Sequence, residues 1–150
     1  MKSIFLILLT FFVAAAANAG AWGEGSFEND DALDWVAECI RAKGVAPVAH
    51  AFQAVLQTSY VEAPQGSVAV AAAEVVAAAL GKPSQTLPPE LQAWVRRQQP
   101  GQLVQLAPTA RKTLARVQDQ KISELAQLWT EGKPNRWSAV IAELVVRLGR

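Results

Sequence analysis

Val68-Ala69-Val70-Ala71-Ala72-Ala73-Glu74-Val75-Val76-Ala77-Ala78-Ala79-Leu80, opened by Gly66-Ser67 and closed by Gly81 and Pro83, is the stretch on which the fold turns. A helix that is apolar on nearly every side is either a membrane span or the buried centre of a bundle. Thirteen residues fall short of the roughly 20 that a span needs, so the segment predicts a central core helix. Glu74 is its one charged side chain, and a carboxylate removed from water must find hydrogen-bond donors. The turn amides around Trp22 to Gly25, or an arginine such as Arg111 or Arg116, could supply them. Glu74 thus reads first as a structural pin and second as a catalytic acid.

Outward from this centre the same 3.6-residue period recurs. Leu33, Val36, Ala37 and Ile40 form a helical stripe behind the acidic start Ser26-Phe27-Glu28-Asn29-Asp30-Asp31. Asn29 or Asp30 can cap the free amides and Gly44 supplies the stop, giving a helix near 30–43. Pro47 suits the first turn of a second helix carrying Val48, Ala51, Phe52, Val55 and Leu56, running out near Tyr60 because Ala63 precedes Pro64. Pro88 and Pro89 introduce Leu91, Trp94 and Val95, and Pro100-Gly101 ends that helix. Leu103 to Val117 is broken at Pro108 into a turn and a longer helix. Another helix begins at Ser123 and stops near Gly132. The last follows Pro134 and Asn135, with Trp137, Val140, Ile141, Leu144, Val145 and Leu148 on one face. No alternating strand pattern remains. The expected fold is all-α: a compact single-domain bundle of about six or seven short helices around the Ala-rich one.

Composition agrees with a chain that builds a core, since 51% of the 150 residues are hydrophobic and 18% charged. The 14 basic and 13 acidic residues leave no basic excess for phosphates, which argues against nucleic acid as a partner. One Cys and one His are too few for a zinc site or a disulfide framework, and neither metal nor cofactor is expected. Cys39, near the first stripe, reads as an unpaired buried thiol. His50 has no Ser or Cys partner near it in sequence and reads as an ordinary surface or half-buried side chain. Charge is unevenly placed: residues 20–80 carry eight acids and two bases, residues 81–150 eleven bases and five acids. Such polarity is satisfied either internally, acidic helices against basic ones, or externally, as two faces offered to partners.

At the N-terminus, Lys2, the apolar run from Ile4 to Val13, and Ala17-Asn18-Ala19 before Gly20 have the three-part form of a secretory signal peptide. The expected organisation is a leader over residues 1–19 and a helical domain over residues 20–150. The location is then periplasmic or secreted, with no membrane span left after cleavage.

The stretch after that site, Gly20-Ala21-Trp22-Gly23-Glu24-Gly25-Ser26-Phe27-Glu28-Asn29-Asp30-Asp31, followed by Asp34-Trp35, resembles the opening of the bacterial domain-of-unknown-function family numbered 4259. The resemblance continues through Tyr60-Val61-Glu62-Ala63-Pro64, the Ala72 to Ala77 segment, Ser123-Glu124-Leu125-Ala126 with Leu128-Trp129, and Trp137. It implies a small, mostly helical domain and no activity. The leader is a departure from the many members that look cytosolic.

In the opening, Gly20, Gly23 and Gly25 lack the spacing of a phosphate loop. They are expected to let the backbone bend while Trp22 and Phe27 anchor the segment in the core, with Asn29, Trp35 and Glu74 completing the structural motif. Glu28, Asp30, Asp31 and Asp34 lack the calcium-loop pattern and read mainly as helix-end acids. They are also the best candidates for a partner-binding face. The other tryptophans, Trp94, Trp129 and Trp137, suit core or interface anchors. The leading functional expectation is a small exported binding protein, most sharply a periplasmic immunity or inhibitor protein that neutralises a toxin or enzyme. The alternatives are a cell-envelope hydrolase using Glu74 and Glu62 with the acidic opening as a carboxylate pair, and a structural or envelope-stress protein.

Overall fold

The computed structural model describes residues 22–131 and 134–149. The leader over residues 1–19, the first two residues of the opening and the stop expected at Gly132 lie outside them. Among the described residues there are seven α-helices: α1 (Asp30–Cys39), α2 (Ala46–Leu56), α3 (Ala63–Ala79), α4 (Pro89–Arg97), α5 (Ala107–Val117), α6 (Glu124–Glu131) and α7 (Trp137–Arg147), with a 3-10 turn before α5. The chain is all-helical, as its periodicity predicts.

Helix α3 is the centre. Every other helix packs against it, and its residues from Ala69 to Ala77 are buried on all sides, Glu74 included. Its small side chains allow this arrangement, because Ala and Gly let neighbouring backbones approach closely. Gly66 shows the limit, since a Cβ there would stand 3.1 Å from Leu125 Cδ2 on α6. Gly81, at φ +79°, provides the left-handed turn that ends the helix.

Helix α3 begins earlier than Pro64 suggests. Ala63 is helical because tertiary contacts cap the start: its amide donates to the Glu124 carboxylate at 2.7 Å, and Glu62 and Gln65 form a reciprocal capping box. Beside it, Val61 donates to the Ile122 carbonyl at 2.7 Å and accepts from the Glu124 amide at 2.9 Å. This parallel bridge ties together the starts of α3 and α6.

Helices α1 and α2 end sooner than expected, and long-range donors explain both. The Trp94 indole takes the Ala42 carbonyl at 2.9 Å, while residues 40–42 tighten into turns. Arg116 takes the carbonyls of Val55 and Thr58, where the C-terminal end of α2 attracts a cation. The buried face of α1 is also rotated: Ala32, Trp35, Val36 and Cys39 point inward and Leu33 is 41% exposed. Two stripes satisfied the same spacing, and the one with the larger ring is buried. Trp129 and Trp137 stack at 6.5 Å between centroids, joining α6 to α7.

Gly66→Val is expected to destabilise the protein by roughly 1–3 kcal/mol through overpacking against Leu125. Gly44→Ala, where a Cβ meets nothing within 4 Å, is expected to be neutral within about 0.5 kcal/mol. Urea midpoints of the two variants check this, and equal midpoints would contradict the close α3–α6 approach.

Candidate functional site

Glu74, 1% exposed, is held by partners from both ends of the chain. Its Oε1 accepts from the Ser26 hydroxyl at 2.7 Å and from Arg147 Nη2 at 2.9 Å, and its Oε2 accepts from Arg147 Nη1 at 2.7 Å. The pairing is bidentate, the strong geometry for a guanidinium on a carboxylate. Arg147 also donates from Nε to Glu143 at 2.7 Å and from Nη1 to the Lys82 carbonyl at 3.2 Å. Burial alone would lower the Arg147 guanidinium, but hydrogen bonds and the charges of Glu74 and Glu143 outweigh it and hold it above its ordinary value.

The donors are therefore not those expected from the sequence. Arg116 is spent on the end of α2, and Arg111 caps the end of α7 through the Leu148 carbonyl at 3.1 Å. The amides of Trp22 and Gly23 donate to the Glu28 carbonyl at 3.1 and 3.2 Å, and the Glu28 amide closes the loop onto the Gly25 carbonyl at 3.1 Å. Ser26, at the inner side of this loop, is the contact that reaches Glu74. A cleft of about 270 Å³ lies beside the pair, between the opening, the Ser84–Thr86 turn and one face of α7.

Phe27 and Trp35 are buried, and of the two cap candidates it is Asn29, itself buried, that caps α1 by accepting from the Ala32 amide at 2.8 Å. The Glu28 side chain folds closely over Gly23 and Gly25. A Cβ at Gly23 would overlap that carboxyl, and Gly25 donates to Glu28 Oε2 at 2.7 Å. Glu28 thus acts first in building the turn. Trp22 corrects the expectation of a core anchor: it is 63% exposed and attached only at its edge, its Nε1 donating to Asp30 Oδ1 at 3.3 Å. The aromatic rings that this part of the chain buries in the core are Phe27 and Trp35.

Asp31 is half-buried and Asp34 exposed on the outer side of α1. Among the described residues the acids of the opening and α1 form no ion pair, and the acidic and basic halves of the chain meet as an ion pair only at Glu74 and Arg147. His50 is exposed. Cys39 is buried, and that burial, with the neighbouring Glu38 charge, pushes its thiol up to about 12, so it remains protonated and inert. Glu62 and Glu74 are not brought together: as the cap and an inner residue of one helix they stand about 18 Å apart along its axis, beyond the roughly 5–9.5 Å of a hydrolytic carboxylate pair. No group of three His, Cys, Asp or Glu among the described residues could hold a metal ion.

Sequence reasoning missed Ser26 and Arg147. A signal for Arg147 existed: it follows Val140 and Leu144 by seven and three residues on α7, so it borders the apolar stripe. It is the counterpart of a lone acid in an apolar helix.

A family model described as Domain of unknown function (DUF4259) matches residues 20–139. The chain belongs to that family. The match includes Ser26 and Glu74 and stops short of Arg147. No curated protein and no solved structure matches the chain.

Glu74→Ala is expected to cost roughly 1–3 kcal/mol, because it leaves the Ser26 hydroxyl and the Arg147 fork without their acceptor while Glu143 still offsets the guanidinium charge. Trp22→Ala is expected to cost no more than about 1 kcal/mol, the range of one exposed hydrogen bond and little packing. Chemical denaturation of both variants checks the contrast, and a larger loss for Trp22→Ala would return that ring to the core.

Proposed function

We propose that the chain is an exported binding protein that works through the acidic face of its N-terminal opening. Its sharpest form is a periplasmic immunity or inhibitor protein that blocks a toxin or enzyme. The observation that carries the reading is the exposed Trp22 ring beside Asp30, with Asp31 and Asp34 on the following turns and no base paired with them among the described residues. An accessible indole with an acid at its edge matches how protein interfaces are built, with an aromatic anchor supplying affinity and rim charges steering approach. The complementary partner is a protein surface with Lys or Arg around an apolar pocket. Glu74, by contrast, has both oxygens engaged by Arg147 and Ser26, which favours a structural over an acid–base role.

Export rests on the leader-like residues 1–19. The family match begins at Gly20, the residue that cleavage after Ala17-Asn18-Ala19 would leave first, and this supports the same boundary.

Asp31→Lys and Asp34→Lys are expected to slow partner association, and Trp22→Ala to weaken binding by about 2 kcal/mol or more. The melting temperature should move only slightly, since the lost helix-end stabilisation is about 0.3–1 kcal/mol for Asp31 and less for Asp34, which lies beyond the first turn. Affinity measured against a partner captured from the envelope fraction checks this. A partner bound equally well by all three variants would contradict the proposed face, and exported protein that still starts at Met1 would contradict the leader.

A further inference from the structure

The cleft beside Glu74 has a lining unlike the acidic outer face. Its floor is the Ala139 and Val140 side of α7, and its charged groups are Arg136, Glu143, Glu74 and Arg147. The two acids and two bases balance, so the cleft has no surplus charge to hold a free polyanion such as phosphate.

The balance is local as well. Arg147 is committed to Glu74, Glu143 and the Lys82 carbonyl. Glu143 gives only Oε1 to Arg147, leaving Oε2 without a partner among the described residues. Arg136 lines the same cleft, and no acceptor meets its guanidinium among the described residues. Ser84 and Thr86 share one hydrogen bond at 2.9 Å between their hydroxyls, in which only one of the two hydrogens is used. The groups left over are thus the Arg136 guanidinium, one hydroxyl hydrogen of the Ser84–Thr86 pair and a Glu143 carboxylate oxygen, with Ala139 and Val140 lying between Arg136 and Glu143 along the chain.

We propose that this cleft binds a small zwitterion of dipeptide size, with the carboxylate on Arg136 and the ammonium on Glu143. Arg136 is the residue before α7 and Glu143 lies seven residues on, about 10 Å along the helix axis. Two extended residues span about 7 Å, and flexible side chains close the difference. A volume of about 270 Å³ lies just under the usual range for drug-sized ligands, which suits a dipeptide with small side chains. The site is independent of the acidic face and would stand if that face had no partner.

The test is calorimetric titration of the protein with alanyl-alanine, in L,L and D,D forms, alongside the N-acetylated and C-amidated derivatives and inorganic phosphate. Binding of at least one unblocked form is expected, with each blocked derivative at least tenfold weaker. Arg136→Gln and Glu143→Gln, both at exposed positions, are each expected to weaken binding at least tenfold while the helical spectrum is unchanged. No binding of either form at millimolar concentration would overturn the proposal. Equal binding of a blocked derivative, tighter binding of phosphate, or unaltered binding by both folded variants would overturn it too.

Discussion

A carboxylate in the middle of an apolar helix loses its water, and the structure must return what that loss removes. Glu74 is compensated by a hydroxyl from the segment before α1 and a guanidinium from the end of α7. Neither partner lies near it in the chain, so the carboxylate is satisfied only when both ends of the described fold are docked on α3. Apolar residues of the same volume could provide equal stability. They would not fix the register of α7, because an apolar surface tolerates sliding that a bidentate ion pair does not.

The remaining architecture follows from α3 being narrow. Its alanines and Gly66 let six helices approach one axis, and the cost of crowding falls on helix ends, whose free carbonyls and amides need partners. Arg116, Trp94, Arg111 and Glu124 meet those needs from distant elements. Most polar side chains at helix junctions are thereby committed to structure. Two surfaces stand apart from this scaffold, the outer acids with Trp22 and the cleft along α7.

Much of this was legible in the sequence. The central helix, the cap at Asn29, the proline-started helices and the break at Pro108 are local, set by residues within one or two turns of the feature. What the sequence left open depended on distance. Which of two stripes on α1 faces inward is decided by what α1 meets, and Leu33 lost to Trp35. Trp22 is exposed while Phe27, five residues on, is buried, and nothing in the local spacing tells the two rings apart. The partner of Glu74 lies 73 residues away, beyond any periodicity argument, although a lone Arg bordering an apolar stripe is the mark such a partner leaves.

Hydrogen exchange on Glu74→Gln tests the central role of this carboxylate most directly. The substitution keeps the shape and one acceptor oxygen while removing the charge that holds Arg147. The account predicts faster exchange at both ends together, at the Trp22, Gly23 and Glu28 amides of the opening and along α7, with α2, α3 and α5 still protected relative to those ends. Faster exchange spread evenly over all helices, or unchanged protection at both ends, would contradict it.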